Sequence, residues 1–201
     1  MIDSHEPGSL ISIHNQESAD EGVYYKTKGG GVPELLKIFG IDDSQFSPSG
    51  KSSLQTYLEW MSAERPYLFV HNTCSEREDV QFAHSRIRNA YWCLCPNANL
   101  YIENNLPDIS MLMSEGAKIC VGTDSLSSNH QLSIIAELAT LKTHFADIGW
   151  DVLLKWATSN GAKALQMEHM VGTIEPGKKP GILQVQGLEN SAGIPSVNRI
   201  V

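Results

Sequence analysis

Four short apolar runs, each closing on a polar or reactive residue, constrain this chain more than any other feature. They are Leu10 to His14 (LISIH), Tyr67 to His71 (YLFVH), Tyr91 to Cys95 (YWCLC) and Lys118 to Asp124 (KICVGTD). Runs of this length and composition read as buried strands. Helical periodicity fills the intervals at Ser53 to Ala63, Glu76 to Ile87, Pro107 to Glu115 and Ser133 to Phe145, with shorter helices expected over Asp151 to Ala157 and Gly161 to Leu165. Ser75 followed by Glu78 offers a capping box for the second of these. Strand and helix therefore alternate, as they do when crossover helices join parallel strands, and in barrels of that kind chemistry collects at the C-terminal strand ends.

Two segments fall outside the alternation. Asp42 to Ser53 (DDSQFSPSGKSS) is polar and long enough to be mobile or to cover a pocket. From Gly172 onward the chain is rich in Gly and Pro, with two strand-like runs, ILQV and NRIV. The expected organisation is an α/β body over residues 1–171 and a small β segment over 172–201.

Composition narrows the partners. A formal net charge of −8 disfavours nucleic acid, which calls for a concentrated basic face. Lys178 and Lys179 sit in a Gly-Lys-Lys-Pro turn that needs no partner. No segment approaches the roughly 18 apolar residues of a membrane span, and the N-terminus does not read as a secretory signal, so no membrane partner and a cytoplasmic location are expected. Cys74, Cys93, Cys95 and Cys120 are expected to be reduced and packed, since Cys-Leu-Cys does not match a C-x-x-C metal or redox pair.

The strand ends supply the candidate chemistry. His14 closes the first run and Glu17 follows three residues on; an imidazole there can ligate a divalent metal, and a carboxylate beside it can shuttle protons. A strand-end histidine followed by an exposed glutamate is also ordinary surface chemistry. His71 repeats the placement, with Asn72 and Thr73 next to it, and two such histidines begin to form a constellation. Asp124 is the third member, because a carboxylate after a buried strand is costly unless paired, hydrogen-bonded or metal-bound. Asn97 and Asn99 either orient a substrate or simply build the Cys95-Pro96 turn. Cys95 lacks an adjacent base and is read as packing. His5, His84, His130, His144 and His169 are read as surface or structural, although His130 lies close in sequence to Asp124.

Taken together, SIHNQES, FVHNT, CPNANLYIENNLPDISMLMSEGAKICVGTDS and ATSNGAKALQMEHMVGTIEPGKKPG resemble the amidohydrolase superfamily, in particular its chlorohydrolases and its guanine, cytosine and adenosine-derivative deaminases. The resemblance implies the C-terminal half of a (β/α)8 TIM-type barrel plus a β segment of an accessory sandwich. It implies that His14 is a fifth-strand metal ligand and Glu17 the proton shuttle. It makes His71 the sixth-strand histidine that contacts substrate or hydrolytic water, and in some relatives the metal. Asp124 becomes the eighth-strand aspartate that binds metal and activates water, with Asn97 and Asn99 near the substrate. The implied cofactor is a divalent metal, zinc with iron as the alternative, and the implied substrate is a small aminated or halogenated nitrogen heterocycle.

One departure matters. Family members carry two further ligands on a His-x-His motif, and none occurs in this sequence. The chain is therefore expected to be N-terminally truncated, to associate as a homo-oligomer, and to be weak or inactive as an enzyme by itself, serving then as an interaction module.

Overall fold

A computed structural model describes residues 8–188 and 193–200. In chain order the elements are β1 (Ile11–Asn15), α1 (Ala19–Thr27), α2 (Val32–Ile38), α3 (Ser53–Leu58), β2 (Pro66–His71), α4 (Arg77–Arg86), β3 (Asn89–Leu94), α5 (Pro96–Ile102), α6 (Ile109–Ser114), β4 (Lys118–Val121), α7 (Ile134–His144), α8 (Trp150–Lys155), a π-helical turn (Trp156–Asn160), α9 (Gly161–Ala164), β5 (Leu183–Gln186) and β6 (Ser196–Arg199). The strands of the α/β body run parallel and alternate with helices, as expected. The chain divides into two compact units, one formed by residues 1–90 and 107–117, the other by 91–106 and 118–201.

In the first unit β1 and β2 pair in parallel, with His14 opposite Val70 and Asn15 opposite His71. Tyr67 and Phe69 on one face of β2 are fully buried and Val70 on the other is buried as well, as a strand covered on both faces requires. Helix α4 starts one residue later than the sequence suggests. Glu76, not Ser75, is the N-cap, and it exchanges hydrogen bonds reciprocally with Asp79. Ser75 is unavailable because its hydroxyl donates to Gln16 Oε1 at 2.6 Å. Helix α3 stops at Leu58 rather than Ala63, and the chain leaves it through turns in which Trp60 N–H donates to the Tyr57 carbonyl and Met61 N–H to that of Leu58. Helices α1 and α2 are additional to the sequence expectation. The polar segment after them is fastened to α1: Phe46 stacks on Tyr24 with centroids 4.5 Å apart, and Lys28 Nζ donates to the carbonyls of Asp43 (2.7 Å) and Phe46 (3.0 Å).

In the second unit β3 and β4 pair in parallel, with Cys93 opposite Cys120. The expected Cys95-Pro96 turn opens a helix, α5, since Pro is well suited to a first helical turn where its missing N–H costs nothing. Helix α7 is capped by Ser133 and buries Ala136, Leu138 and Leu141. The helix after α8 continues as a π turn, whose Asn160 Nδ2 donates to the Ile119 carbonyl on β4 at 2.7 Å. Beyond Gly172, β5 and β6 form an antiparallel pair, with Leu183 opposite Arg199. His5 and Val201, the end of NRIV, lie outside the described residues. Among those described, no helix is long and apolar enough to cross a membrane.

Candidate active site

The first unit assembles three of the expected residues. His14 is exposed near the end of β1, whereas His71, the last residue of β2, is fully buried. Their rings stack with centroids 5.1 Å apart and an interplanar angle of 26°. Regular alternation would send Val70, the register partner of His14, to the His14 face and His71 to the other. Left-handed φ values at His71 (75°) and Asn72 (61°) interrupt that alternation at the strand end. Glu17 Oε1 stands 3.5 Å from His71 Nε2. Two imidazoles side by side with a carboxylate within reach form a donor set matched to a cation.

What holds His14 and Glu17 is the buried dipeptide between them, Asn15-Gln16, and sequence reasoning passed over it. Gln16 adopts φ 47° and is almost wholly buried, as is Asn15. The carboxylate of Glu21, in the first turns of α1, accepts the backbone N–H of both Gln16 (3.1 Å) and Glu17 (3.2 Å). Gln16 Nε2 donates to Asp79 Oδ2 at 2.7 Å. Asp79 also accepts from Ser52 Oγ (2.5 Å), Gln55 Nε2 (2.8 Å) and the Glu76 N–H (3.0 Å), so one buried carboxylate ties the starts of α3 and α4 to the turn after β1. Asn15 accepts from Tyr57 Oη at 2.7 Å and donates to Asn72 Oδ1 at 2.9 Å, while Asn72 Nδ2 donates to the Phe69 carbonyl. Asn72 thus links the ends of β1 and β2. Burial drives the Tyr57 hydroxyl well above the usual phenol range, with nearby Glu21 adding to the effect, which keeps it a hydrogen-bond donor.

The second unit carries Asp124, half-buried just beyond β4 with φ 54°. Ser128 Oγ donates to its Oδ2, and Asn129 Nδ2 donates to the carbonyl of Thr123 at 2.8 Å. Asn97 Oδ1 accepts from Thr140 Oγ1 at 2.6 Å, so half of that amide is engaged with α7, and Asn99 is fully buried on α5. Glu137, absent from the sequence expectation, is a fully buried carboxylate on α7 that receives hydrogen bonds from the Asn97 backbone and the Asn129 side chain. A polar residue on the otherwise apolar buried face of α7 was the available signal.

Cys93, Cys95 and Cys120 are buried and none of the four cysteines is in a disulfide. The Cys120 contact, with burial adding to it, pushes the Cys93 thiol well up, and Cys93 together with burial does the same to Cys95. They are packed thiols, as expected, and the packing is close: a Cβ at Gly122 would lie 3.0 Å from Cys93 Sγ. His84, His144 and His169 are exposed, and His130 meets the Tyr101 ring edge to face at 5.5 Å.

These positions can be set beside known proteins. Residues 41–197 match the model of the amidohydrolase family. An adenosine deaminase of Helicobacter pylori is 31% identical over 175 residues, which cover 85% of this chain and 41% of that protein. The structure of a Helicobacter pylori aminofutalosine deaminase bound to methylthio-coformycin superposes with a TM-score of 0.71 at 27% identity, over 86% of this chain and 42% of the other. A zinc-bound atrazine chlorohydrolase of Arthrobacter aurescens shares the fold at 18% identity with a TM-score of 0.64, over 90% of this chain and 37% of that one. The chain thus spans about two-fifths of the length of these relatives. With His14 near the end of β1, His71 at the end of β2 and Asp124 just beyond β4, and a family match over residues 41–197, the chain belongs to the amidohydrolase family.

Proposed function

We propose that the chain contributes the second half of a (β/α)8 amidohydrolase site, with β1 to β4 as barrel strands five to eight, and that the site hydrolyses carbon–nitrogen bonds by deaminating an amino-substituted nitrogen heterocycle. The stacked His14–His71 pair with Glu17 beside it is the observation that carries this reading. Similarity to an adenosine deaminase supports the reaction class. Residues 1–171 would form the barrel part. Residues 172–201, in which the described part holds strands but no helix, would belong to an accessory β-sandwich.

We take His14, His71 and Asp124 as the ligands of one divalent ion. Two imidazoles and a carboxylate suit zinc, and iron is the alternative. When bound, such an ion would lower the pKa of its water toward neutrality. Asp124 would accept a proton from the attacking water, and the Ser128 hydroxyl on Oδ2 would keep its carboxylate oriented. Glu17 would carry a proton to the ring nitrogen or the departing amine, a task its place beside His71 supports. His71 would hold the water or substrate. Asn97 and Asn99 would border the substrate, Asn97 through its amide N–H2 because its carbonyl accepts from Thr140.

Dechlorination of a halogenated heterocycle would use the same groups. Absence of a His-x-His motif favours a third outcome, a chain that folds without turning substrate over. The test is zinc titration of the full chain against a competing chelator, with ammonia release from adenosine and chloride release from a chlorotriazine measured in parallel. Stoichiometric zinc, weakened by D124N, with ammonia release is the expected result. Zinc without either product would leave only the inert module, and no zinc would remove the metal reading. We also propose self-association through exposed apolar surface such as Leu35, Ile38 and Phe39 of the α2 region; a monomer by light scattering at micromolar concentration would contradict it.

A further inference from the structure

We propose that Glu137 is a positioning residue for Asp124, acting through Asn129; this rests on the reading of Asp124 as a metal ligand. The route is short and lies within one unit. Glu137 Oε1 accepts from Asn129 Nδ2 at 2.7 Å, and the same amide nitrogen donates to the Thr123 carbonyl at 2.8 Å. That carbonyl belongs to the peptide plane entering Asp124, whose φ of 54° is a conformation that residues other than glycine rarely hold without support. Glu137 Oε2 meanwhile accepts the Asn97 N–H at 2.9 Å, anchoring the hub to the first turn of α5. Asn129 Oδ1 closes its own turn by accepting the Gln131 N–H at 3.3 Å, so the amide has one orientation and its two N–H bonds face the carboxylate and the carbonyl.

A fully buried carboxylate is an expensive way to pack a helix, and an apolar side chain would serve α7 better if packing were its only task. Both Glu137 oxygens face N–H donors, which only a group with two acceptors can satisfy. Glutamine has the same shape but one acceptor, so E137Q sets an N–H2 against one of those donors while leaving the volume unchanged. The predicted consequence is a turn at Thr123–Asp124 that loses its fixed geometry while the helix around it persists.

The experiment compares the full chain with E137Q, N129A and the double variant, and uses S133A, at the cap of the same helix, as a control that leaves the network untouched. Zinc affinity is measured by chelator competition, and the geometry at the ion by the visible spectrum of the cobalt(II)-loaded chain. Backbone amide resonances of Thr123 to Ser128 are recorded without metal. Expected are an affinity loss of about 10- to 100-fold in E137Q, the size typical for removing an outer-shell partner, an altered cobalt spectrum, and a double variant no worse than the poorer single one. The amide shifts should concentrate at Thr123–Ser125 in E137Q and N129A and be absent in S133A. Unchanged affinity and spectrum in a folded E137Q, or fully additive losses in the double variant, would overturn the proposal. Should the unmodified chain bind no zinc, the metal reading fails separately and the amide shifts decide: perturbation at Thr123–Ser125 supports Glu137 as the positioning residue, and silence there refutes it.

Discussion

The two units solve the same local problem with different amounts of buried polarity. Each must present a reactive side chain at a strand end where the backbone has turned left-handed, at Gln16, His71 and Asn72 in the first unit and at Asp124 in the second. Each recruits a buried carboxylate from a following helix to hold that turn. Asp79 takes four donors and joins two helices to the residue between His14 and Glu17, whereas Glu137 takes two and reaches Asp124 through a single asparagine. The first unit holds the candidates His14, Glu17 and His71, and the second holds Asp124 together with Asn97 and Asn99.

That comparison can be broken by deletion. Removing the Asp79 carboxylate in D79A should be the largest effect, about 3–5 kcal/mol of stability in urea unfolding, because several buried donors lose their partner together and each stranded group costs about 1–3 kcal/mol. E137A should cost less, about 2–3 kcal/mol on the same reasoning with two donors stranded. Equal losses would mean that donor number does not measure the hub. Cutting the tie between the π-helical turn and β4 with N160A should cost about 1 kcal/mol, the value of one ordinary hydrogen bond, unless the Ile119 carbonyl is sealed from water. S18A and S133A, which remove the caps of α1 and α7, should each cost up to about 1 kcal/mol, and a clear difference between them would show that one unit leans on its helix starts more than the other.

A pH series sharpens the Glu137 side. Burial raises its carboxyl above the ordinary value of 4.5, opposed by the Asn97 and Asn129 hydrogen bonds. A raised folded-state pKa means that the folded chain holds the proton more tightly than the unfolded one between the two values. This contribution to stability is therefore complete below 4.5 and falls as pH rises through the raised folded value. The midpoint of thermal unfolding should decline more over that window in the unmodified chain than in E137Q, and identical profiles would show that burial of this charge has no cost.

Local sequence was enough for much of this. Apolar runs of strand length ending in His14, His71 and Asp124, separated by helical periodicity, located β1 to β4 to within three residues and singled out the chemistry at or just beyond their ends, because strand burial and strand-end polarity are written in neighbouring residues. The start of α4 was misread by one position for a tertiary reason: the Ser75 hydroxyl was engaged by Gln16, 59 positions earlier in the chain. Helix α5 was hidden because Cys-Pro-Asn-Ala-Asn serves a turn and a helix start equally well. The His14–His71 stack, the donors gathered on Asp79, and the link from Glu137 through Asn129 to Thr123 join residues that periodicity cannot associate. Sequence by itself determined the alternating parallel architecture and the residue types offered at its strand ends. Only the tertiary structure decided how those side chains are aimed, since left-handed turns and buried carboxylates hold their geometry through hydrogen bonds that the folded chain alone brings together.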